Sequence, residues 1–165
     1  MAEYLDPKDT REIQDQLTTW LQTNLDDPYE QAATPKTRST FVYGDDFKLV
    51  SIFPKIHVAV ADDDVEKITA QKSSYLEGET HHFMIYYYNQ QAHRYSFDGL
   101  VTYLTNASQC RKYLQYIKSQ LKTNITDFND YFSQLIFGTI PTPVFDSKTS
   151  TWISVLPITV KTYRR

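Results

Sequence analysis

The stretch His82-Phe83-Met84-Ile85-Tyr86-Tyr87-Tyr88 is the strongest strand signal in the chain. It is aromatic and apolar, holds no Gly or Pro, and reads as a central strand. Side chains alternate along a strand, so Phe83, Ile85 and Tyr87 share one face and Met84, Tyr86 and Tyr88 the other. If helices cover one of these faces, the second must meet a partner or another layer. Upstream, Ile56, Val58 and Val60 alternate with His57, Ala59 and Ala61, giving a further strand stopped by Asp62-Asp63-Asp64. Pro54 at its entrance breaks or edges the sheet, because it cannot donate to a ladder. Before it, Thr40-Phe41-Val42-Tyr43, the turn Gly44-Asp45-Asp46 and the run from Phe47 to Phe53 read as two strands around a tight turn. Residues 66–80 are polar and read as a loop.

Two helical patterns flank this strand-rich centre. Asp6 caps and Pro7 occupies the first position of a helix expected over residues 7–24, with Asp9 and Glu12 at the positive end of its dipole. Its buried side is Ile13, Leu17, Trp20, Leu21 and Leu25. A second long helix, capped by Asn106 or Ser108, is expected over 107–121. Cys110, Tyr113, Leu114, Ile117 and Leu121 form its buried stripe, and Arg111, Lys112, Lys118 and Lys122 line a solvated face. A shorter helix is expected at 126–137, with Phe128, Tyr131, Phe132 and Leu135 inward and Gly138, Pro141 and Pro143 ending it. Strands at 144–146 and 152–163, joined by Ser147-Lys148-Thr149-Ser150, close the chain. The fold class is α+β: one domain, 1–165, with a mostly antiparallel sheet packed against an N-terminal helix and a second long helix.

Composition narrows the function. The 165 residues carry 17 Lys+Arg against 20 Asp+Glu, a net charge of −3, and this slight acidity counts against a dedicated nucleic-acid binder. No apolar run approaches the ~18 residues of a membrane helix, and the first residues lack the basic and apolar regions of a leader, so a soluble chain is expected. The single cysteine excludes an intramolecular disulfide framework and a Cys-based zinc finger. Four glycines leave no phosphate-binding loop. Thirteen tyrosines suit either a β-rich core or a surface that packs yet stays wettable.

Catalytic chemistry finds little support. His81 and His82 are adjacent and point to opposite faces, His57 faces away from its strand's apolar stripe, and His93 lies beyond a polar stretch, so a metal site needs tertiary convergence. Asp62, Asp63 and Asp64, with Glu66 behind them, lack the glycine and spacing of a calcium loop. Glu12, Asp27, Asp46 and Lys48 could be assembled on paper into a divalent-metal nuclease. However, Asp27 and Asp46 sit in loop and turn contexts rather than on a rigid strand. Cys110, on an apolar helix face, is a poor nucleophile. No catalytic residue, metal or cofactor is expected.

The succession of elements resembles the tail-terminator, or tail-completion, proteins of tailed viruses, the head–tail joining family. The resemblance lies in an N-terminal amphipathic helix, a pair of strands, and Phe53-Pro54-Lys55-Ile56-His57-Val58-Ala59-Val60 leading to an acidic loop. It continues with Gly78-Glu79-Thr80-His81-His82-Phe83-Met84-Ile85-Tyr86-Tyr87-Tyr88, then the helix at 107–121 and a last strand ending in arginine. It implies a structural virion protein forming a ring, a hexamer, at the tail–connector junction, located in the virion tail or neck after assembly in the host cytoplasm. Its partners would be copies of itself, the tail tube protein and the head-connector proteins. DNA would pass through without specific binding, and no membrane or cofactor is involved. A ring needs one patch that meets a different patch on its neighbour. The candidates for subunit contact are Met84, Tyr86, Tyr88, Arg164 and Arg165. A lumen that lets DNA slide should not grip phosphate, which makes Asp62, Asp63 and Asp64 candidates for a lumen-facing acidic loop. The alternatives are a tyrosine-rich protein-binding adaptor and the metal-dependent nuclease.

Overall fold

The computed structural model describes residues 9–25, 30–31, 34–35, 41–45, 53–61, 66–69, 77–89, 94–97, 100–103, 106–128 and 134–164. In chain order the elements are α1 (Thr10–Asn24), β1 (Glu30–Gln31), β2 (Thr34–Pro35), β3 (Val42–Tyr43), β4 (Lys55–Val60), β5 (Glu66–Thr69) and β6 (Glu77–Asn89). Then follow β7 (Arg94–Phe97), β8 (Leu100–Tyr103), α2 (Asn106–Thr123), a 3-10 turn (Ile125–Phe128), β9 (Gln134–Phe137), β10 (Val144–Asp146) and β11 (Thr151–Arg164). The class is α+β, as expected.

The first helix starts later than its sequence suggested. Asp9, not Asp6, is the cap: its Oδ1 accepts from the Glu12 N–H at 2.8 Å, and Glu12 Oε2 accepts from the Asp9 N–H at 3.0 Å. Two free donors at the helix start are satisfied reciprocally, which an Asp at the third position would be too short to do as well.

The main sheet has seven strands among the described residues, in the order β10-β11-β6-β4-β3, with β5 also on β6 and β9 also on β11. Its axis is the antiparallel pair β6–β11, in register from Trp152 opposite Asn89 to Arg164 opposite Glu77. β6 is therefore longer than the aromatic run, and Glu77 to Thr80, expected in a loop, pair with both β11 and β5. β3 runs parallel to β4, with Val42 opposite Ile56. The chain turns at Gly44-Asp45, and the strand expected after that turn falls mostly on residues 46–52, which lie outside the described part. β7 and β8 form a separate antiparallel pair.

The largest correction falls on the helix expected at 126–137. Among the described residues of that span, Ile125–Phe128 turn as a 3-10 helix and Gln134–Phe137 are a strand paired to β11. Phe128 is buried as expected; Tyr131 and Phe132 lie outside the described residues.

Both long helices pack on one face of the sheet, α1 over β4 and β3, α2 over β11 and β6. Ile13, Leu17 and Leu21 from α1 and Tyr113, Leu114 and Ile117 from α2 meet Ile56, Val58, Phe83, Ile85, Tyr87, Leu156, Ile158 and Val160 in one cluster. Tyr87 stacks on Tyr113 with ring centroids 5.0 Å apart. Cys110 lies in this core, and burial pushes its thiol up to about 12. His81 also faces it, buried, with Nδ1 2.8 Å from Thr10 Oγ1 of α1.

Candidate interaction surface

Register places the other face of the sheet residue by residue. Lys55, Tyr88, Ile153 and Val144 form one row across β4, β6, β11 and β10. His57, Tyr86 and Val155 form the next, then Ala59, Met84 and Pro157, then His82 and Thr159 with Ile136 of β9. Met84, Tyr86 and Tyr88, singled out from the sequence, thus share one face, and neither α1 nor α2 covers it. The rings run in file: His57 stacks on Tyr86 with centroids 6.0 Å apart, and Tyr86 lies 6.0 Å from Tyr88. His82 Nδ1 lies 3.2 Å from Thr159 Oγ1 across the strand pair.

Exposure along the first row is graded. Lys55 is 2% exposed whereas Val144, at the other end, is 65% exposed, so the face opens toward β10. The Lys55 Nζ sits 4.6 Å from the Phe53 ring centroid and 5.7 Å from that of Tyr88. Burial holds the Lys55 ammonium below its usual pKa, and burial followed by the neighbouring Tyr86 raises the Tyr88 hydroxyl.

The open end is an unusual sheet edge. Phe137 pairs with Ile158 and Val144 with Ile153, so the six residues 138–143 run beside only four, 154–157. The segment 138–143, which carries Pro141 and Pro143, is not strand and so interrupts the edge and limits further strand pairing. Gly138 anchors its start: its N–H donates to the Pro157 carbonyl at 2.8 Å, and a Cβ there would fall 2.9 Å from Pro157 Cβ. Ile136, Val144 and Phe145, the exposed large hydrophobics among the described residues, all lie on β9 and β10. The strand at 144–146 was expected from the sequence, but its place at an exposed edge was not. Its signal was the Val144-Phe145 pair after Pro143, which must put one apolar side chain on each face of a short strand.

Other candidates fall elsewhere. Arg164 ends β11 opposite Glu77, seven residues beyond the Met84 partner Pro157 and so roughly 23 Å away along the strand. It does not share the tyrosine patch. Arg165, Asp62, Asp63 and Asp64 lie outside the described residues, as do Asp27, Asp46, Lys48 and His93. Glu12 is engaged in the α1 cap. Among the described residues no three His, Cys, Asp or Glu side chains gather as a metal site, and no helix is long and apolar enough to cross a membrane. No protein family matches the sequence, and no curated protein matches it.

Proposed function

We propose that the chain is a structural assembly subunit that works by self-association, a ring-forming tail-terminator or tail-completion protein of a virus tail. The observation that carries this reading is the one-sided layering of the sheet. Both helices pack on the Phe83/Ile85/Tyr87 face and leave the Met84/Tyr86/Tyr88 face without a helix among the described residues. A lattice of tyrosine, methionine, valine and proline on one face of the sheet is the composition of a contact surface, large in apolar area and tolerant of water before assembly. Among the described residues this face holds no arrangement of carboxylates around a lysine that would activate water. In this reading the ring meets the tail tube protein on one side and connector proteins on the other, and lets DNA pass without specific recognition.

Native mass spectrometry of the purified chain tests the proposal. A closed ring, a hexamer in the reading given, supports it. A chain that stays monomeric and binds divalent metal overturns it in favour of the nuclease.

A further inference from the structure

The two flanks of the sheet differ in charge. At the β9–β10 flank lies α2, which contains no acidic residue in its 18 positions and four basic ones, Arg111, Lys112, Lys118 and Lys122. Arg111, Lys118 and Lys122 are spaced by seven and four residues and therefore line one stripe of the helix. The direction of that stripe is fixed, because the Lys118 and Lys122 Nζ atoms stand 5.7 and 5.6 Å from the ring centroid of Phe137 on β9. At the same flank stand the exposed Phe145, on the α2 side of the sheet, and Ile136 and Val144, on its other side. This flank is an apolar edge with cations along one side.

The opposite flank is formed by β3, β4 and α1. Asp9, Glu12 and Asp15 of the cap and first turns of α1 are exposed, and so is Asp45 just after β3, against Arg11 among the exposed, described residues of this flank. Asp45 is tied to the helix, its Oδ1 accepting from Gln14 Nε2 at 2.9 Å. Because α1 sits over β4 and β3 and α2 over β11 and β6, the acidic and basic surfaces are at opposite ends of the strand order.

We infer that the basic, apolar flank of one copy docks on the acidic α1–β3 flank of a second copy of this chain. The inference rests on the ring reading and deepens it by adding to the Met84/Tyr86/Tyr88 face the two unlike flanks that meet beside it. A cyclic assembly joins one patch to a different patch on the next subunit, and here the two patches are of opposite sign and face away from each other. A like-with-like contact at either flank would set cation against cation or carboxylate against carboxylate.

A charge-swap experiment tests the pairing on the full chain by native mass spectrometry. Variant A carries Arg111→Glu with Lys122→Glu, both exposed and leaving the half-buried Lys118 on Phe137; variant B carries Asp15→Lys with Thr19→Lys, which spares the capping box. Circular dichroism and thermal unfolding confirm that each folds. The expected result is that each alone loses at least tenfold in self-association and that an equimolar mixture recovers closed rings of alternating A and B. Rings from A or B alone at wild-type strength overturn the flank pairing and leave the ring reading standing. A mixture that fails to reassemble also overturns the pairing. A mixture that stops at a heterodimer retains the pairing and overturns the ring. A wild-type chain that never leaves the monomer overturns both.

Discussion

The indole Nε1–H of Trp20 donates a 2.9 Å hydrogen bond to Asp127 Oδ2, tying α1 to the turn after α2 across 107 residues of sequence. The same ring lies 5.4 Å from that of Phe128, the buried end of the 3-10 turn. Trp20 therefore does two jobs: it fills the space between the helices and fixes where the chain leaves α2. Trp20→Ala should cost about 3–5 kcal/mol in urea unfolding, the range for truncating a buried aromatic. Trp20→Phe should keep most of the packing and lose about 1 kcal/mol with the hydrogen bond. A loss below ~1 kcal/mol for the alanine variant would place α1 outside the cooperative core.

What was legible in the sequence was what local periodicity controls. The stripe Cys110–Leu121 and the alternation from His81 to Tyr88 correspond to buried and half-buried positions in the structure, because each pattern is long enough to bury a face by itself. The failures have physical causes. Phe128, Tyr131, Phe132 and Leu135 have helical spacing, yet Ile125–Phe128 form a 3-10 turn and Gln134–Phe137 pair with β11, whose central position offers backbone partners. Glu77 to Thr80 are polar and carry no alternation, but the neighbouring β11 continues and recruits them. Parallel pairing of β3 with β4 has no local signature at all. At the candidate surface, the Met84/Tyr86/Tyr88 face followed from parity alone. The exposed β10 edge and the charge difference between flanks needed the strand order, which no local pattern states.

The thiol of Cys110 gives a pH signature. Its folded-state pKa is raised to about 12 from 9.0, so above pH 9 the unfolded chain releases a proton that the folded chain keeps. With fewer protons bound in the unfolded state, stability falls as pH rises, by roughly 1.4 kcal/mol between pH 8 and 10. Cys110→Ala removes this term and should flatten the profile relative to wild type, whatever the tyrosines and lysines add to both. The folded protein should also resist thiol reagents at pH 8 and react on addition of denaturant. Fast labelling without denaturant would mean that α2 opens readily.

Incubated with Mg²⁺ or Mn²⁺, the purified chain should leave DNA and RNA intact. A metal-assisted hydrolase needs carboxylates held rigidly beside the attacking water. Glu12, the described member of the nuclease set, is already engaged with the Asp9 backbone. Metal-dependent cleavage that disappears in Asp46→Ala and Lys48→Ala would establish an enzyme in place of a structural subunit.

Adjacent tyrosines on β6 should behave as opposites. Tyr87 is fully buried and stacked on Tyr113, so Tyr87→Ala should cost about 3–5 kcal/mol, whereas Tyr86, half-buried on the other face, should cost about 1 kcal/mol or less when truncated. Assembly should show the reverse order. Met84→Glu with Tyr86→Glu places two carboxylates on the open face without touching the helix-covered core, and Tyr88 is left in place because its ring lies against Lys55. The double variant should keep its circular dichroism and melt within a few degrees of wild type while losing the ring, because desolvating two unpaired carboxylates in a contact is far costlier than leaving them in water. Global unfolding of the double variant would assign this face to the core. Normal assembly would remove the tyrosine lattice from the contact and leave the flanks, where Val144 and Phe145 stand exposed, to carry it alone.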